Sequence, residues 1–151
     1  MPFNRSVGSY MNSKNAILSA SVEYEIPFHD CDPMQVVWHG NYARYLEFAR
    51  CELLRKFQYD YVDMHDSGFM WPIVDMRIKY VCSAIFAQRI RIHAYLKEYE
   101  HNLKIDYLIE DAASGKVLTK ATTSQVAVCV QSKEMQFESP AILREKLAEV
   151  L

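Results

Sequence analysis

Thirteen consecutive residues, His29-Asp30-Cys31-Asp32-Pro33-Met34-Gln35-Val36-Val37-Trp38-His39-Gly40-Asn41, hold two carboxylates, two imidazoles and two carboxamides. They run straight into a segment patterned as a helix. The first turn of a helix carries unpaired backbone N–H groups and the positive end of the dipole. Such amides can hold the negative charge that develops on a carbonyl oxygen, and losing one donor costs about 3 kcal/mol of transition-state stabilisation. A neighbouring carboxylate, ionised at neutral pH without special activation, can attack that carbonyl or deprotonate a water. The combination suits acyl chemistry. Blander uses of the same residues stay open: Asp30 or Asp32 could cap a turn, and Asn41 could be the helix N-cap. His29, Asp30, Asp32 and His39 match no recognised metal-ligand spacing, so no metal is expected. Cys31 lies between two aspartates, whose charge raises a thiol pKa and argues against a reactive thiolate.

The elements that must position these groups can be read from periodicity. Tyr42, Leu46, Ala49, Leu53 and Phe57 recur at helical spacing, with Arg44, Glu47, Arg50, Glu52 and Arg55 mostly between them, which predicts a long amphipathic helix. Before it, Val22, Tyr24, Ile26 and Phe28 alternate with Glu23 and Glu25 as in a half-buried strand, and Pro27 places that strand at an edge or its end. After it, alternation returns at Val74–Tyr80, Ile90–Leu96 and Leu103–Ile109, and Val117–Val130 is long enough for one strand crossing the whole sheet. Ser139–Pro140 opens a short final helix. One strand, one long helix and four strands, with no βαβ alternation, predict an α+β fold with an antiparallel sheet packed on the helix. Residues 1–20 read as a flexible N-terminal extension and residues 21–151 as a single domain. The aromatic and methionine-rich stretch Tyr59–Trp71 could line an apolar tunnel or belong to the core.

Composition removes several function classes. With 151 residues, half of them hydrophobic and 24% charged, the chain is a single globular domain able to bury roughly 68–70% of its unfolded surface. A net charge of −2 gives no basic footprint for nucleic acid, and no apolar run is long enough for a membrane span. The four glycines, Gly8, Gly40, Gly68 and Gly115, are widely separated. Walker A loops, Rossmann fingerprints and serine nucleophile elbows all need clustered glycines, so none is present. Cys31, Cys51, Cys82 and Cys129 form no CxxC pair or disulfide framework. No apolar signal core follows Arg5, and a reducing cytoplasm is the expected location.

The composite of Asp30-Cys-Asp32-Pro, Val36-Val-Trp-His39-Gly40-Asn41-Tyr42 and Tyr45-Leu-Glu47-Phe-Ala-Arg50 resembles the 4-hydroxybenzoyl-CoA thioesterase-like branch of the hotdog superfamily, especially the Tol-Pal-associated acyl-CoA thioesterases. The resemblance runs from about Ser21 to Pro140. It implies a hotdog fold, a five-stranded antiparallel sheet wrapped around one helix in the order β-α-β-β-β-β. It implies hydrolysis of an acyl thioester, with Asp32 as nucleophile or general base. It implies an oxyanion hole from the backbone N–H groups at His39 and Gly40, with the His39 side chain polarising the thioester. Asn41, Tyr42 and Glu47 would shape the substrate site, and Glu47 with Arg50 matches the family's E-x-x-R element on the helix face. No separate cofactor is implied, because coenzyme A or phosphopantetheine arrives as part of an acyl-CoA or acyl-carrier-protein substrate. The family's habit also implies a homodimer or homotetramer with sites at subunit interfaces.

Three departures from the family pattern stand out. Phe28 occupies the place of a tyrosine four residues before the catalytic aspartate, which removes a hydroxyl. Met34–Gln35 replaces a glycine pair. Glu100, His101 and Asn102 align with the cations that hold the CoA phosphates, where Glu100 would repel phosphate. Arg89, Arg91, Lys97 and Lys104 are the other candidates to hold a CoA phosphate, or the thiol belongs to a carrier protein. Two further functions remain in play. A hotdog 3-hydroxyacyl-thioester dehydratase would pair His39 with Glu47, and a non-catalytic acyl-thioester binding protein would keep the fold without turnover.

Overall fold

The structure, a computed structural model, describes residues 15–151. The first fourteen residues of the expected flexible extension lie outside the described residues. The extension ends earlier than the sequence suggests, because strand β1 spans Leu18–Glu25 and Leu18 is already paired with Leu96. Two 3-10 turns follow, Phe28–Asp30 and His39–Asn41. The second runs directly into helix α1, Tyr42–Lys56. A short helix α2, Tyr61–Asp66, and strand β2, Phe69–Met70, occupy the stretch that showed no periodicity. Strands β3 (Ile73–Tyr80), β4 (Arg89–Glu98), β5 (Leu103–Asp111) and β6 (Val117–Gln125) come next, then β7 (Val128–Cys129) and helix α3 (Ala141–Ala148).

The main sheet has the order β1-β4-β5-β6-β3, with every pair antiparallel. Alternation decides its faces, since successive strand side chains point to opposite sides. Ile90, Ile92, Ala94 and Leu96 of β4 and Leu103, Ile105, Tyr107 and Ile109 of β5 are buried in one cluster with Tyr45, Leu46, Ala49, Leu53 and Leu54 of α1. The hotdog arrangement expected from the resemblance is therefore present. Helix α1 packs on β1 and β4 at one side of the sheet. At the other side β3 forms an edge whose apolar Val74 and Met76 stay exposed.

One expected element breaks in two. Beyond Gln125 the ladder has no more partners, because Leu103 of β5 and Ile73 of β3 both pair with that residue. The Gln125 side chain donates to the Trp71 carbonyl, and the chain leaves the sheet so that β7 can pair with β2. Val117–Val130 is thus a nine-residue strand, a bend and a two-residue strand, not one continuous element. Tyr59, Met64 and Trp71 are buried. The Trp71 indole donates to the Tyr59 hydroxyl at 3.3 Å and meets its ring edge to face. These three residues belong to the core, while Tyr61, Val62 and Met70 of the same stretch stay exposed.

Candidate active site

The loop between β1 and α1 folds back on itself through backbone hydrogen bonds. The Trp38 amide donates to the Asp30 carbonyl at 3.0 Å, the Asp32 amide to Val36, and the Val37 amide to Ala84 of the β3–β4 connection. Asn41 adds a side-chain stitch, its Nδ2 donating to the same Asp30 carbonyl at 2.8 Å. Asn41 precedes α1 as its N-cap residue but makes no side-chain cap bond. Its carboxamide secures the loop.

The two aspartates, two residues apart, have opposite environments. Asp30 is 2% exposed. Its Oδ2 accepts hydrogen bonds from Tyr45 Oη at 2.7 Å and Tyr24 Oη at 3.1 Å, and its Oδ1 pairs with Arg44 Nη2 at 2.7 Å. Burial acts to raise its pKa, but the donors Tyr45, Arg44 and Tyr24 outweigh burial and hold the carboxyl below the usual aspartate range. Both carboxylate oxygens are engaged, so Asp30 is an anchor. Asp32 is only partly buried. Its Oδ1 accepts from the Met34 amide at 2.9 Å in an Asx turn, and Oδ2 has no hydrogen bond among the described residues. Cys31 between them stays a neutral thiol, because burial first and then the Asp30 and Asp32 charges push its pKa up.

Asp32 borders two clefts. The narrower, about 200 Å³, is lined by Asp32, Met34, Val36, Val37, His39, Tyr42, Tyr80 and Ser83. This cleft brings together three residues singled out in the sequence, Asp32, His39 and Tyr42. The His39 and Gly40 amides donate to nothing among the described residues, as expected of the first turn of a helix. The His39 carbonyl is held by Tyr80 Oη at 3.0 Å. Tyr42 is buried, and its hydroxyl accepts from the Ala84 amide at 3.2 Å, which ties the cleft wall to the β3–β4 connection. Gly40 lies under the Trp38 indole, and a Cβ built there would collide with the ring. The wider cleft, about 530 Å³, is lined by Phe28, Cys31, Asp32, Pro33, Gln35, Ile85 and Phe86.

Glu47 is not part of this assembly. It is exposed on α1, five residues and about 7.5 Å along the axis from Tyr42, and lines neither cleft. His39 and Glu47, the pair a dehydratase would use, therefore share neither cleft within one chain. Its neighbour in the motif, Arg50, is buried and donates to Tyr61 at 2.7 Å and to Tyr107 at 3.2 Å, which makes it a core tie. Among the described residues no three His, Cys, Asp or Glu side chains converge as a metal site would require, and no helix is long and apolar enough to cross a membrane. Residues that sequence reasoning passed over are Tyr80, Ser83, Ile85 and Phe86. Their only signal was an apolar pair, Ile85–Phe86, set in a connection between two strands.

Comparison with known proteins agrees with this geometry. A family model described as the thioesterase-like superfamily matches residues 26–150. The chain belongs to that family. A protein of Bacillus subtilis (strain 168), YneP, provisionally named an acyl-CoA thioesterase, is 30% identical over 117 residues, covering 76% of this chain and 84% of its own length. The 4-hydroxybenzoyl-CoA thioesterase of Pseudomonas sp. (strain CBS-3) is 31% identical over 87 residues, covering 54% of this chain and 60% of its own. Among solved structures, a DHNA-CoA thioesterase from Staphylococcus aureus superposes with a TM-score of 0.77 at 22% identity, over 89% of this chain and 91% of that one. That superposition is evidence for the shared hotdog fold.

Proposed function

We propose that the protein hydrolyses acyl thioesters, with Asp32 as the reacting carboxylate and the His39 and Gly40 amides as the oxyanion hole. The family is one of thioesterases, and this chain is a thioesterase of it. One observation carries the residue assignment: Asp32, with a free carboxylate oxygen, borders the same cleft as the start of the helix, where two amides are uncommitted. The thioester carbonyl polarises against those amides. If Asp32 attacks the carbon, the C–S bond breaks to give an acyl-aspartyl anhydride that water then hydrolyses; if it takes a proton from an attacking water, the tetrahedral intermediate breaks its C–S bond directly, and on either route the thiolate leaves and is protonated. His39 borders the same space and supports the polarised carbonyl. The coenzyme A or phosphopantetheine arm belongs to the substrate, and the reaction needs no other cofactor.

The thiol handle is narrowed by the ion pairs. Arg89 pairs with Glu23 at 3.3 Å, and Arg91 with Glu23 at 3.2 Å and Glu110 at 3.4 Å, so both stand beside carboxylates that would repel a phosphate. Lys104 instead borders a polar hollow of about 740 Å³ together with Arg77, Asn102 and one carboxylate, Asp75. These two cations support coenzyme A over a carrier protein as the handle. The exposed apolar residues of edge strand β3 support a second copy pairing there, giving a homodimer or a pair of dimers. The deciding experiment is Asp32→Asn assayed on acyl-CoA and acyl-carrier-protein substrates. The variant keeps the shape and removes the base, so turnover should fall by about 10²–10⁴-fold on every substrate. Undiminished turnover by a folded variant refutes the assignment.

A further inference from the structure

Asp32 stands where two clefts meet, and they differ in chemistry. The narrow one sets His39, Tyr80 and Ser83 beside the helix start, together with Met34, Val36 and Val37. The wide one presents Phe28, Pro33, Ile85 and Phe86, and its only charged lining group is Asp32 itself. A thioester whose carbonyl lies at Asp32 has an acyl group on one side and a sulfur arm on the other, so each cleft takes one of them. We propose that the Phe28–Phe86 cleft holds the acyl group, and that its occupant is an uncharged, apolar acyl group extending several carbons beyond the carbonyl. The inference rests on the reading of Asp32 as the reacting carboxylate.

The walls of this cleft are built to hold apolar side chains in the open. Phe28 is 76% exposed and Phe86 54%, and their rings meet edge to face at 5.7 Å. The turn carrying Ile85 and Phe86 is braced on several sides. The Ile85 amide donates to Gln88 Oε1 at 3.0 Å, Gln88 Nε2 donates to Asp111 at 2.9 Å, and the Ala87 amide donates to Ile26 at 2.9 Å. Val36 forms a bridge to Ile85 from the opposite wall. Each wall also contains a non-glycine residue in the left-handed region, Gln35 at φ 66° and Ala87 at φ 67°. Such backbone conformations are costly and persist where surrounding contacts over-determine them, as at ligand clamps. Rigid turns that hold exposed aromatic rings beside a carboxylate fit a hydrocarbon ligand. An anionic acyl group would meet the Asp32 charge with no cation lining the cleft.

The test separates this inference from the hydrolase reading by measuring binding without turnover. Non-hydrolysable S-alkyl phosphopantetheines, ethyl to decyl, are titrated calorimetrically into the parent protein, Phe28→Ala and Phe86→Ala. In parallel, acetyl-, hexanoyl-, decanoyl-, benzoyl- and succinyl-CoA are assayed for hydrolysis. The parent should bind about two- to fourfold more tightly for each added methylene until the cleft is filled. Each alanine variant should lose at least tenfold affinity for the longer ligands and less than twofold for the ethyl ligand. Hydrolysis should follow the same order, with succinyl-CoA poorest. Binding that is independent of chain length, or a preference for the succinyl substrate, overturns the proposal. So does a Phe86→Ala variant that loses subunit mass while keeping the parent's length dependence, since it assigns the ring pair to a contact between copies. Length-dependent binding with no hydrolysis of any substrate leaves the cleft assignment standing and refutes the hydrolase reading alone.

Discussion

Replacing Asp30 by asparagine probes the anchor of the site. The native carboxylate receives Tyr45 and Tyr24 on Oδ2 and Arg44 on Oδ1. Asparagine keeps one acceptor oxygen and puts an NH2 in place of the other. The low-energy orientation turns the oxygen to Arg44, leaving the NH2 to donate to phenol oxygens that must rotate their own hydrogens away. Charge-assisted bonds from two tyrosines are thereby replaced by neutral ones. Each is worth about 1.5–3 kcal/mol against about 1 kcal/mol for a neutral bond. The Arg44 pair adds little to the difference, because that side chain is 42% exposed and solvent screens it. The net loss is about 2 kcal/mol, which lowers Tm by about 4–8 °C for a domain of this size. The pH dependence has a definite sign. Folding favours the ionised form of Asp30, so its contribution is complete above the unfolded aspartate pKa and is lost as the pH falls through the lower folded value. Thermal unfolding of parent and Asp30→Asn should differ by a constant amount from pH 5 to pH 8 and converge as the pH falls through the lowered folded value. Turnover below the new Tm should fall less than tenfold, since the Asp30 carbonyl keeps its bonds to Trp38 and Asn41. Equal stability at pH 7, or a gap that persists unchanged at pH 3, refutes the account.

Gly40→Ala forces the Trp38 indole off the helix start and should lower kcat by about 10–100-fold; adding Trp38→Ala to the same chain should recover most of that loss, as steady-state kinetics of the two variants would reveal. Glu47→Gln should leave thioester hydrolysis within about twofold of the parent and move stability by no more than about 0.5 kcal/mol. Crotonyl-thioester hydration that disappears in Glu47→Gln would instead restore the dehydratase reading. Sedimentation equilibrium should give a mass two or four times 17.6 kDa, and Met76→Lys on the β3 edge should shift it toward the monomer; a monomeric parent removes the proposed pairing.

Most of the fold that was legible in the sequence has one face buried along the whole element. Helix α1 and strands β4 and β5 follow their apolar periods to within a few residues, because burial of that face sets both pattern and register. Strand β3 keeps the alternation at the sheet edge with none of its residues buried. The end of β6 was not legible. Residues Val126–Val130 are as apolar as a strand should be, and only the lengths of β3 and β5 show that no ladder partner remains. Helix α2 was hidden for a similar reason. Its start is secured by a local capping box between Asp60 and Asp63, within a stretch where Tyr59, Met64 and Trp71 are buried without a regular period. Of the site, the loop and the helix start were visible as a cluster of residue types. The Ile85–Phe86 wall was not, because it reaches the loop through tertiary contacts across 50 residues of chain.

The two aspartates show why residue type and spacing could mark the site yet not divide its labour. Both are carboxylates next to Cys31, and each could cap or react. What separates them is which other elements reach them. Tyr24 comes from β1, and Arg44 and Tyr45 come from the first turn of α1. All three converge on Asp30 because the 3-10 turn Phe28–Asp30 points it inward. A carboxylate so fully engaged has neither a free oxygen nor access to a substrate. The next turn carries Asp32 outward, where the Met34 amide fixes one oxygen and leaves the other open to the clefts. Anchoring Asp30 is thus a condition for exposing Asp32 at a fixed place beside the helix amides. Loosening the anchor should blunt the reacting carboxylate through position, while Asp32→Asn removes its chemistry outright. The contrast between a tenfold ceiling for Asp30→Asn and a loss of about 10²–10⁴-fold for Asp32→Asn is therefore the measurement that separates positioning from reaction in this loop.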